Sequence, residues 1–249
     1  MDPSDPFPFS PHESSSDQGE HSFVSVIIPA LNERESIGLV LRDLPRSHVR
    51  QVIVVDNGCT DDTPAIAACA GAQVVRQARR GYGAACQAGI AALHPQADTV
   101  AFLDADYSDF PEEIERLVEP IRRGEADLVI GSRVLRDESR AALLPQAYWG
   151  NRLATFVIRR FWHFSYTDLG PFRAIRRTSL DALGLRDASF GWTVEMQIKA
   201  LRAGLRVKEV PVSYRKRIGR SKISGTVKGT LFAGTKIMFT IFKYGLTAR

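Results

Sequence analysis

The sequence has few cysteines, and their spacing excludes a disulfide framework. Cys59, Cys69 and Cys86 form neither a CxxC pair nor the spacing of a zinc site. An odd and sparse set of this kind argues against a disulfide scaffold and is compatible with a reducing cytosol. The amino terminus also lacks the basic start and the apolar core of a signal peptide. We therefore expect a cytoplasmic protein.

Two binding signatures are also missing. The first predicted strand, Phe23–Ile28, leads into Pro29-Ala-Leu-Asn-Glu33, without the glycines that let a backbone approach a pyrophosphate. Gly81-Tyr-Gly83 is a lone GxG in the wrong place for a dinucleotide fold. The chain also lacks the interleaved aromatic and basic residues of the known nucleic-acid-binding modules. A net charge of +5 therefore gives no reason to expect a nucleic-acid partner.

The composition predicts one large folded region between two distinct ends. With 249 residues, 44% of them hydrophobic, the chain can bury a substantial core. Residues 1–22 carry five acids and no Lys or Arg, with several prolines and serines, which predicts a disordered tail. Across residues 23–225 strands alternate with helices, which predicts βαβ units and a largely parallel sheet. Residues 226–249 are a predicted apolar and basic helix.

The rest of the chain is organised around Val100-Ala-Phe-Leu-Asp104-Ala-Asp106. Its apolar run predicts a buried strand, Val100–Asp104, that leads straight into two carboxylates. The carboxyl ends of parallel strands are where α/β proteins bind ligands, and hard oxygen ligands favour Mg²⁺ or Mn²⁺. The alternative is a strand end that stops in solvated acids.

Earlier strands also end in acids. Glu33 follows the first predicted strand, and Asp56 ends the second. Together with Asp104 and Asp106, they would bring carboxylates from three strands to one edge of the sheet, where they can contact ribose, a base edge and a metal. Each acid alone is more simply a solvated strand end or a helix cap, but the set favours a nucleotide site.

Motifs along most of the chain resemble a known family. Four of them are similar to glycosyltransferase family 2, which has the GT-A fold: Val26-Ile-Ile-Pro-Ala-Leu-Asn-Glu33, Val54-Val-Asp-Asn-Gly-Cys-Thr-Asp-Asp-Thr63, Gly81-Tyr-Gly-Ala-Ala85 and Phe102-Leu-Asp-Ala-Asp106. Four more resemble its dolichyl-phosphate mannosyl- and glucosyltransferase branch: Gly131-Ser-Arg133, Asp168-Leu-Gly-Pro-Phe-Arg173, Val210-Pro-Val-Ser213 and Arg217-Ile-Gly-Arg-Ser-Lys222. The resemblance implies an α/β GT-A domain with a mostly parallel, Rossmann-like sheet flanked by helices, an irregular acceptor-side half and a C-terminal apolar helix.

The resemblance also implies residue roles. In the family pattern, Asp104 and Asp106 are the DXD pair that holds the metal, Mg²⁺ or Mn²⁺, on the donor diphosphate. The residues expected to bind the donor are Pro29, Leu31, Glu33, Asp56, Asp104, Ala105, Asp106 and Arg133. The residues expected to act in catalysis are Asp106, Asp168, Arg217 and Lys222. The cations among them match positions that meet donor or acceptor phosphates.

Three residues depart from the family pattern. Asn57 stands where a second aspartate is common, which alters the predicted base pocket. Leu31 stands where relatives often carry an aromatic side chain that can stack on the base. Ser108 stands where some members supply a metal-binding Gln, so metal coordination would rely more on water.

The implied activity is that of a metal-dependent, inverting hexosyltransferase. It would use a UDP- or GDP-linked sugar donor and a polyprenyl or dolichyl phosphate acceptor. A glycan or small-molecule hydroxyl acceptor stays open, as does a nucleotide-binding protein without catalysis. An alcohol acceptor would need a base, for which Asp168 and Glu195 are the candidates, whereas a lipid phosphate is already anionic.

The predicted terminal helix bears on the partners. Its apolar stretch is shorter than the roughly 20 residues that a spanning helix needs, and Lys228, Lys236 and Lys243 interrupt it. It can be a core helix, a contact in a homo-oligomer, or a helix that rests in the membrane interface. Because related enzymes use this region at the membrane, we expect peripheral association with the membrane surface.

Overall fold

The computed structural model describes residues 22–219 and 227–247. The strands in these ranges are β1 (Val24–Ala30), β2 (Gln51–Asp56), β3 (Gln73–Arg76), β4 (Thr99–Phe102), β5 (Leu128–Ser132), β6 (Arg173–Arg176) and β7 (Val207–Pro211). The helices are α1 (Ile37–Asp43), α2 (Thr63–Cys69), α3 (Tyr82–Ala91), α4 (Ile114–Arg122), α5 (Asp137–Ala142), α6 (Pro145–Trp162), α7 (Arg177–Leu183), α8 (Trp192–Arg202) and α9 (Val227–Leu246), and a 3₁₀ turn spans Pro111–Glu113.

The strands form one mixed sheet in the order β3-β2-β1-β4-β6-β5-β7. β1 pairs in parallel with β2 and β4, and β2 pairs in parallel with β3. β6 runs antiparallel between β4 and β5, and β7 forms an edge parallel to β5. The predicted mostly parallel sheet flanked by helices is confirmed.

Both faces of the sheet are covered, which explains the continuous apolar runs in its central strands. One core packs the sheet against α1, α2 and α4, and the other packs it against α3, α6, α8 and α9. The buried Trp192 of α8 lies edge-on to Phe102 of β4, with ring centroids 4.7 Å apart. α8 is thus fixed beneath the strand that precedes the acid pair.

The register of the sheet brings the predicted site residues together. Asp56 pairs with Ala30, whereas Phe102 pairs with Ile27, three residues earlier on β1. β4 therefore ends at Phe102, and the prediction that this strand continues to Asp104 was wrong. The residues after Phe102 leave the sheet beside the end of β1, so their side chains can face a cleft.

The two ends of the chain differ in what the structure describes. Apart from Ser22, the predicted tail at residues 1–22 lies outside the described residues. The predicted terminal helix is present as α9, which packs on α6 and α8. Phe242 of α9 meets Phe161 of α6 edge-on, with centroids 5.9 Å apart. In the described part of the chain, every helix is too short or too polar to cross a bilayer.

Candidate functional site

A pocket of about 410 Å³ opens at the carboxyl edge of β1, β2 and β4. Loops after all three strands contribute to it, together with the start of α3, the segment before α8, the 217 region and α9. Its lining residues are Pro29, Ala30, Leu31, Glu33, Asn57, Arg80, Gly81, Tyr82, Asp104, Ala105, Asp106, Ser189, Phe190, Arg217 and Phe232. Sequence positions up to about 200 residues apart therefore meet in one cleft.

The acid pair lies on the wall of this pocket. Asp106 is 8% exposed, and its Oδ1 accepts hydrogen bonds from the Ser108 amide at 3.0 Å and the Ser108 hydroxyl at 2.5 Å. Asp104 is partly open to the pocket. Burial, and then the negative charge of Asp106, raise the pKa of Asp104 to about 7. The two carboxylates thus repel each other, and a cation between them would relieve that repulsion.

The donor set of this pair fits a hard divalent cation. Two carboxylates at the mouth of a cleft leave room for phosphate oxygens and water as further ligands, which suits Mg²⁺ or Mn²⁺. Within residues 22–219 and 227–247, no group of three or more His, Cys, Asp or Glu side chains could hold a metal on its own. A cation bound by Asp104 and Asp106 would therefore take its remaining ligands from the bound molecule and solvent.

Arg217 bridges two of the predicted acids. Its Nη2 lies 2.7 Å from Oε1 of Glu33, and its Nη1 lies 3.2 Å from Oδ2 of Asp106. The Ile218 amide donates to the Asp106 carbonyl at 3.0 Å, and the Arg215 amide donates to the Ser108 carbonyl at 2.9 Å. These backbone bonds fix the 215–218 segment along the acid loop and deliver a guanidinium to it.

The end of β2 contributes differently from what the sequence predicts. Oδ1 of Asp56 accepts the amides of Gly58 and Cys59 at 3.0 and 2.7 Å, so this carboxylate caps a turn, and Asp56 does not line the pocket. Asn57 does line it. Its side chain donates to the Arg79 carbonyl at 2.8 Å and accepts from the Gly81 amide at 2.8 Å. Asn57, which departs from the family pattern, thus fixes the pocket wall at the start of α3.

The lone GxG at the start of α3 serves close packing. A Cβ at Gly81, where φ is +143°, would lie 2.2 Å from the Ala188 carbonyl oxygen, and one at Gly83 would lie 2.0 Å from that of Asp187. The Ala84 amide donates to the Ala188 carbonyl at 2.9 Å. Only glycine allows this approach, which brings the segment before α8 into the pocket wall.

Arg133 and Asp168 form a sealed pair outside the pocket lining. Arg133 donates from Nε and Nη2 to the two carboxylate oxygens at 2.8 Å each, and its amide adds a bond at 2.9 Å. Asp168 is fully buried, and the Leu169 amide also donates to it at 2.7 Å. Burial opposes ionisation of Asp168, but Arg133 outweighs it and holds the pKa of Asp168 below its ordinary value.

The remaining predicted residues fall in other places. Glu195 is 1% exposed and accepts from the Asp187 amide at 2.7 Å, Tyr244 Oη at 2.7 Å and Lys199 Nζ at 3.0 Å, so it joins α8 to α9. Lys222 lies outside the described residues. The structure thus brings Pro29, Leu31, Glu33, Asp104, Ala105, Asp106 and Arg217 together at one pocket, and it does not bring Asp56, Arg133 or Asp168 to its lining.

Sequence reasoning missed several pocket residues. Tyr82 lines the pocket with a buried hydroxyl near Asp104, and Phe190 and Phe232 face each other edge-on with centroids 6.2 Å apart. Tyr82 sits inside the GxG motif, which was a usable signal. The two phenylalanines come from irregular sequence and from α9, with no local pattern that points to a site.

Comparison with known proteins gives a family match over most of the chain. The model of glycosyl transferase family 2 matches residues 25–184. An uncharacterised glycosyltransferase of Mycobacterium tuberculosis is 39% identical over 215 residues, covering 84% of this chain and 94% of the relative. The dolichyl-phosphate hexose transferase of Haloferax volcanii is 32% identical, covering 82% and 89%. The undecaprenyl-phosphate mannosyltransferase of Micrococcus luteus is 32% identical, covering 91% and 95%.

Solved structures with the same architecture include glucosyl-3-phosphoglycerate synthase of Mycobacterium tuberculosis. Its complex with phosphoglyceric acid superposes with a TM-score of 0.73 at 25% identity, covering 92% of this chain and 81% of that chain. Its complex with Mn²⁺, uridine diphosphate and glucosyl-3-phosphoglycerate gives a TM-score of 0.71 at 24% identity, with the same coverage. The predicted GT-A fold is confirmed by these likenesses.

Proposed function

The chain belongs to glycosyl transferase family 2 and is a glycosyltransferase, and from this premise we propose that it moves a hexose from a nucleotide-diphosphate sugar to a polyprenyl phosphate. The observation that carries the proposal is the Asp104–Asp106 pair on the wall of a pocket, with Arg217 in contact with Asp106 at 3.2 Å. Two relatives that are 32% identical are named for transfer to dolichyl phosphate or undecaprenyl phosphate, which supports this acceptor class.

The donor would bind along the carboxyl edge of β1 and β2. The apolar Pro29, Leu31 and Ala105 offer a surface for the nucleoside, and Glu33 offers a carboxylate for its hydroxyls. Its diphosphate would lie between the acid pair and Arg217, where a guanidinium can bind two phosphate oxygens at once. Nucleotide sugars, either UDP- or GDP-linked, carry these features in this order.

Asp104 and Asp106 would hold the divalent cation. When bound, Mn²⁺ or Mg²⁺ neutralises the charge that develops on a departing nucleoside diphosphate. We favour Mn²⁺, because a solved complex of the structurally similar glucosyl-3-phosphoglycerate synthase contains Mn²⁺ and UDP. The contact between Arg217 and Asp106 would have to loosen, which would free the guanidinium to meet the leaving phosphate.

The surroundings of the two candidate bases, Asp168 and Glu195, bear on the kind of acceptor. Asp168 is saturated by Arg133 and the Leu169 amide, and Glu195 is saturated by backbone amides, Tyr244 and Lys199. Neither is free to remove a proton from an alcohol, so the geometry favours an acceptor that is already anionic. Asp168 then acts as a positioning residue that orients Arg133, whose guanidinium lies 5.1 Å from the Tyr214 ring at the start of the Arg217 segment. Lys222 remains a proposed phosphate contact.

A lipid acceptor also needs a membrane surface. α6 and α9 lie side by side and expose many large apolar side chains. These are Trp149, Leu153 and Phe156 on α6, and Leu231, Phe232, Phe239, Phe242 and Leu246 on α9. Arg152, Arg159 and Lys243 flank them, which suits an anionic leaflet. Phe232 is 64% exposed and also lines the donor pocket, so this apolar face leads to the site of reaction.

The membrane proposal is tested by vesicle flotation of the full chain. We expect Trp149→Asp combined with Phe156→Asp to abolish flotation, and Leu135→Asp, at an exposed apolar residue outside both helices, to leave it unchanged. If the double variant floats normally but changes the oligomeric state in size-exclusion chromatography, the face is a contact between copies and the membrane proposal fails.

The function itself is tested by a transfer assay. The full chain is mixed with Mn²⁺, UDP-glucose or GDP-mannose, and either a polyprenyl phosphate or an alcohol acceptor of the same chain length. We expect hexosyl transfer to the phosphate only. Equal or better transfer to the alcohol would favour the hydroxyl-acceptor alternative, and tight donor binding without transfer to any acceptor would favour a nucleotide-binding protein.

A further inference from the structure

A second pocket, of about 260 Å³, lies between α9 and the segment that precedes α8. We call it the α9 pocket. It shares a wall with the donor pocket, because Arg186 to Ala188 line the α9 pocket while the next two residues line the donor pocket. On α9, Phe232 faces the donor pocket, and Lys236 and Lys243 line the α9 pocket. Lys243 also flanks the apolar face of α9, whereas Arg186 and Lys236 have no role in the proposed transfer.

The lining of the α9 pocket carries an excess of positive charge. Four cationic side chains, Arg79, Arg186, Lys236 and Lys243, line it against two carboxylates, Asp187 and Glu195. Both carboxylates are already neutralised. Asp187 pairs with Lys236 at 2.8 Å, and Glu195 pairs with Lys199, from outside the lining, at 3.0 Å.

Three of the cations have no acidic partner. Within residues 22–219 and 227–247, no carboxylate lies within ion-pair distance of Arg79, Arg186 or Lys243, although all three exposed residues line one cavity. Like charges gathered without counter-ions repel each other, so an anion that enters the cavity relieves that repulsion. Two guanidinium groups and an ammonium are the groups that bind phosphate, by forked hydrogen bonds and as a point charge.

The floor of the pocket is rigid. Glu195 is 1% exposed and holds the amides of Arg186 and Asp187 together with the Tyr244 hydroxyl, so it fixes both walls. Thr240, 3% exposed, closes the floor from α9. A fixed floor beneath cationic side chains without acidic partners is typical of a binding site, whereas a solvated charged surface needs no such scaffold.

We propose that the α9 pocket binds a phosphate group, as a second anion site separate from the donor pocket. The phosphate could belong to a phospholipid headgroup or to a small soluble phosphate. A headgroup is consistent with Phe239, which lines the pocket and is 60% exposed on the apolar face of α9. The charge and geometry are shared by both sources.

Occupancy of this site has a consequence for the neighbouring pocket, and this consequence alone rests on the proposed function. An anion held by Arg186 and Lys243 clamps α9 onto the segment before α8. That segment is packed against Gly81 and Gly83, and its continuation, Ser189 and Phe190, lines the donor pocket. Phosphate and donor should therefore each raise the affinity for the other.

The test compares two double variants of the full chain. Arg186→Gln with Lys243→Gln removes two unpaired cations of the α9 pocket. Arg50→Gln with Arg123→Gln removes the same charge from exposed positions at the amino end of β2 and the end of α4, and serves as the matched control. One arm titrates inorganic phosphate by calorimetry, and the other measures binding to phosphatidylglycerol and phosphatidylcholine vesicles.

We expect the pocket variant, and not the control, to weaken binding by about tenfold, which corresponds to the loss of one or two charged hydrogen bonds. A loss in both arms identifies a lipid headgroup as a ligand of the pocket, and a loss in the inorganic phosphate arm alone identifies a soluble phosphate. A loss in the phosphatidylglycerol arm alone reflects the general charge of the membrane face, to which Lys243 also belongs, and overturns the proposal. The proposal is overturned if the pocket variant matches the control in both arms. It is also overturned if Arg217→Gln abolishes phosphate binding while the pocket variant retains it. Neither readout depends on glycosyl transfer.

Discussion

Two of the arginine–carboxylate systems in this molecule, one at Arg217 and one at Arg133, differ in what surrounds them. Arg217 reaches Glu33 and Asp106 with single contacts at 2.7 and 3.2 Å, at the edge of a pocket, with a quarter of its side chain exposed. Arg133 grips Asp168 with two contacts at 2.8 Å, and that carboxylate is fully buried. The same pair of chemical groups thus appears once in an open form and once in a sealed form.

The difference separates an arginine that can exchange its partners from one that supports the fold. A guanidinium with spare donors beside a pocket can change partners when an anion arrives, at a modest energetic cost. Glu33 and Asp106 are 8% exposed and line the pocket, so water or a ligand can reach them when Arg217 moves. Arg133 cannot leave Asp168, because that carboxylate is 0% exposed, lies outside the pocket lining and would be stranded without water. We therefore assign the open system to ligand binding and the sealed system to the framework.

The largest effect is expected at the sealed pair. Asp168→Asn leaves the Arg133 charge without its counter-ion, so we expect the free energy of unfolding to fall by about 3–5 kcal/mol. Urea denaturation followed by circular dichroism measures this directly. Adding Arg133→Met to Asp168→Asn removes the stranded charge and should recover part of the loss. A loss below about 1 kcal/mol in the single variant would place this pair with ordinary surface pairs.

The next effect is expected at the open system, in activity rather than stability. Arg217→Gln should lower kcat/KM about 10²- to 10³-fold, as expected when a group that stabilises developing phosphate charge is removed. The free energy of unfolding should change by no more than about 1 kcal/mol, because the side chain is partly solvated. Arg217→Lys should recover part of the activity, since it keeps the charge and loses the fork. Equal losses of stability in the variants of Arg217 and Asp168 would remove the distinction.

The smallest effect is expected at a third pair, far from the pocket. Asp127 accepts from Arg206 at 2.8 and 3.0 Å, and this bonding lowers the pKa of Asp127 to about 2. Because the folded pKa lies below the unfolded value, the stabilisation is present above about pH 4 and is lost as the pH falls toward 2. Asp127→Asn should cost about 1 kcal/mol at pH 7, flatten the acid limb of stability, and leave transfer unchanged. Stability profiles of both proteins between pH 2 and 7 check this, and an unchanged acid limb would contradict it.

Much of the fold could be predicted because its central strands carry strong local signals. β2 ends at Asp56, as predicted, because a short run of valine and isoleucine is closed there by turn-forming residues. The short helices α5 and α7 were not predicted, because six or seven residues show too little apolar periodicity to identify a helix on their own. β4 ends earlier than predicted, because the point at which a strand leaves the sheet depends on its pairing with the neighbouring strands.

The site residues also fall into two groups: those that the local sequence predicts, and those whose position depends on distant parts of the chain. The carboxylates after β1 and β4 could be predicted, because parallel strands end at a common edge. The partner of Asp168 could not, since Arg133 lies 35 residues away with no periodic signal between them. Asp56 was expected in the pocket, but its side chain closes a turn and the neighbouring Asn57 faces the cleft. Which of these two side chains faces the cleft depends on the backbone conformation of the loop, and the spacing of residues does not predict that conformation.

We propose above that Asp104 and Asp106 bind a divalent cation that recruits the donor diphosphate. The most direct measurement is calorimetric titration of UDP and GDP into the full chain with and without Mn²⁺, in the wild type, Asp106→Asn and the exposed control Asp137→Asn. We expect Mn²⁺ to raise the affinity of the wild type and the control for the preferred nucleotide by at least about tenfold, and Asp106→Asn to lose this gain. If Asp106→Asn keeps the full Mn²⁺-dependent gain, Asp106 does not hold the cation.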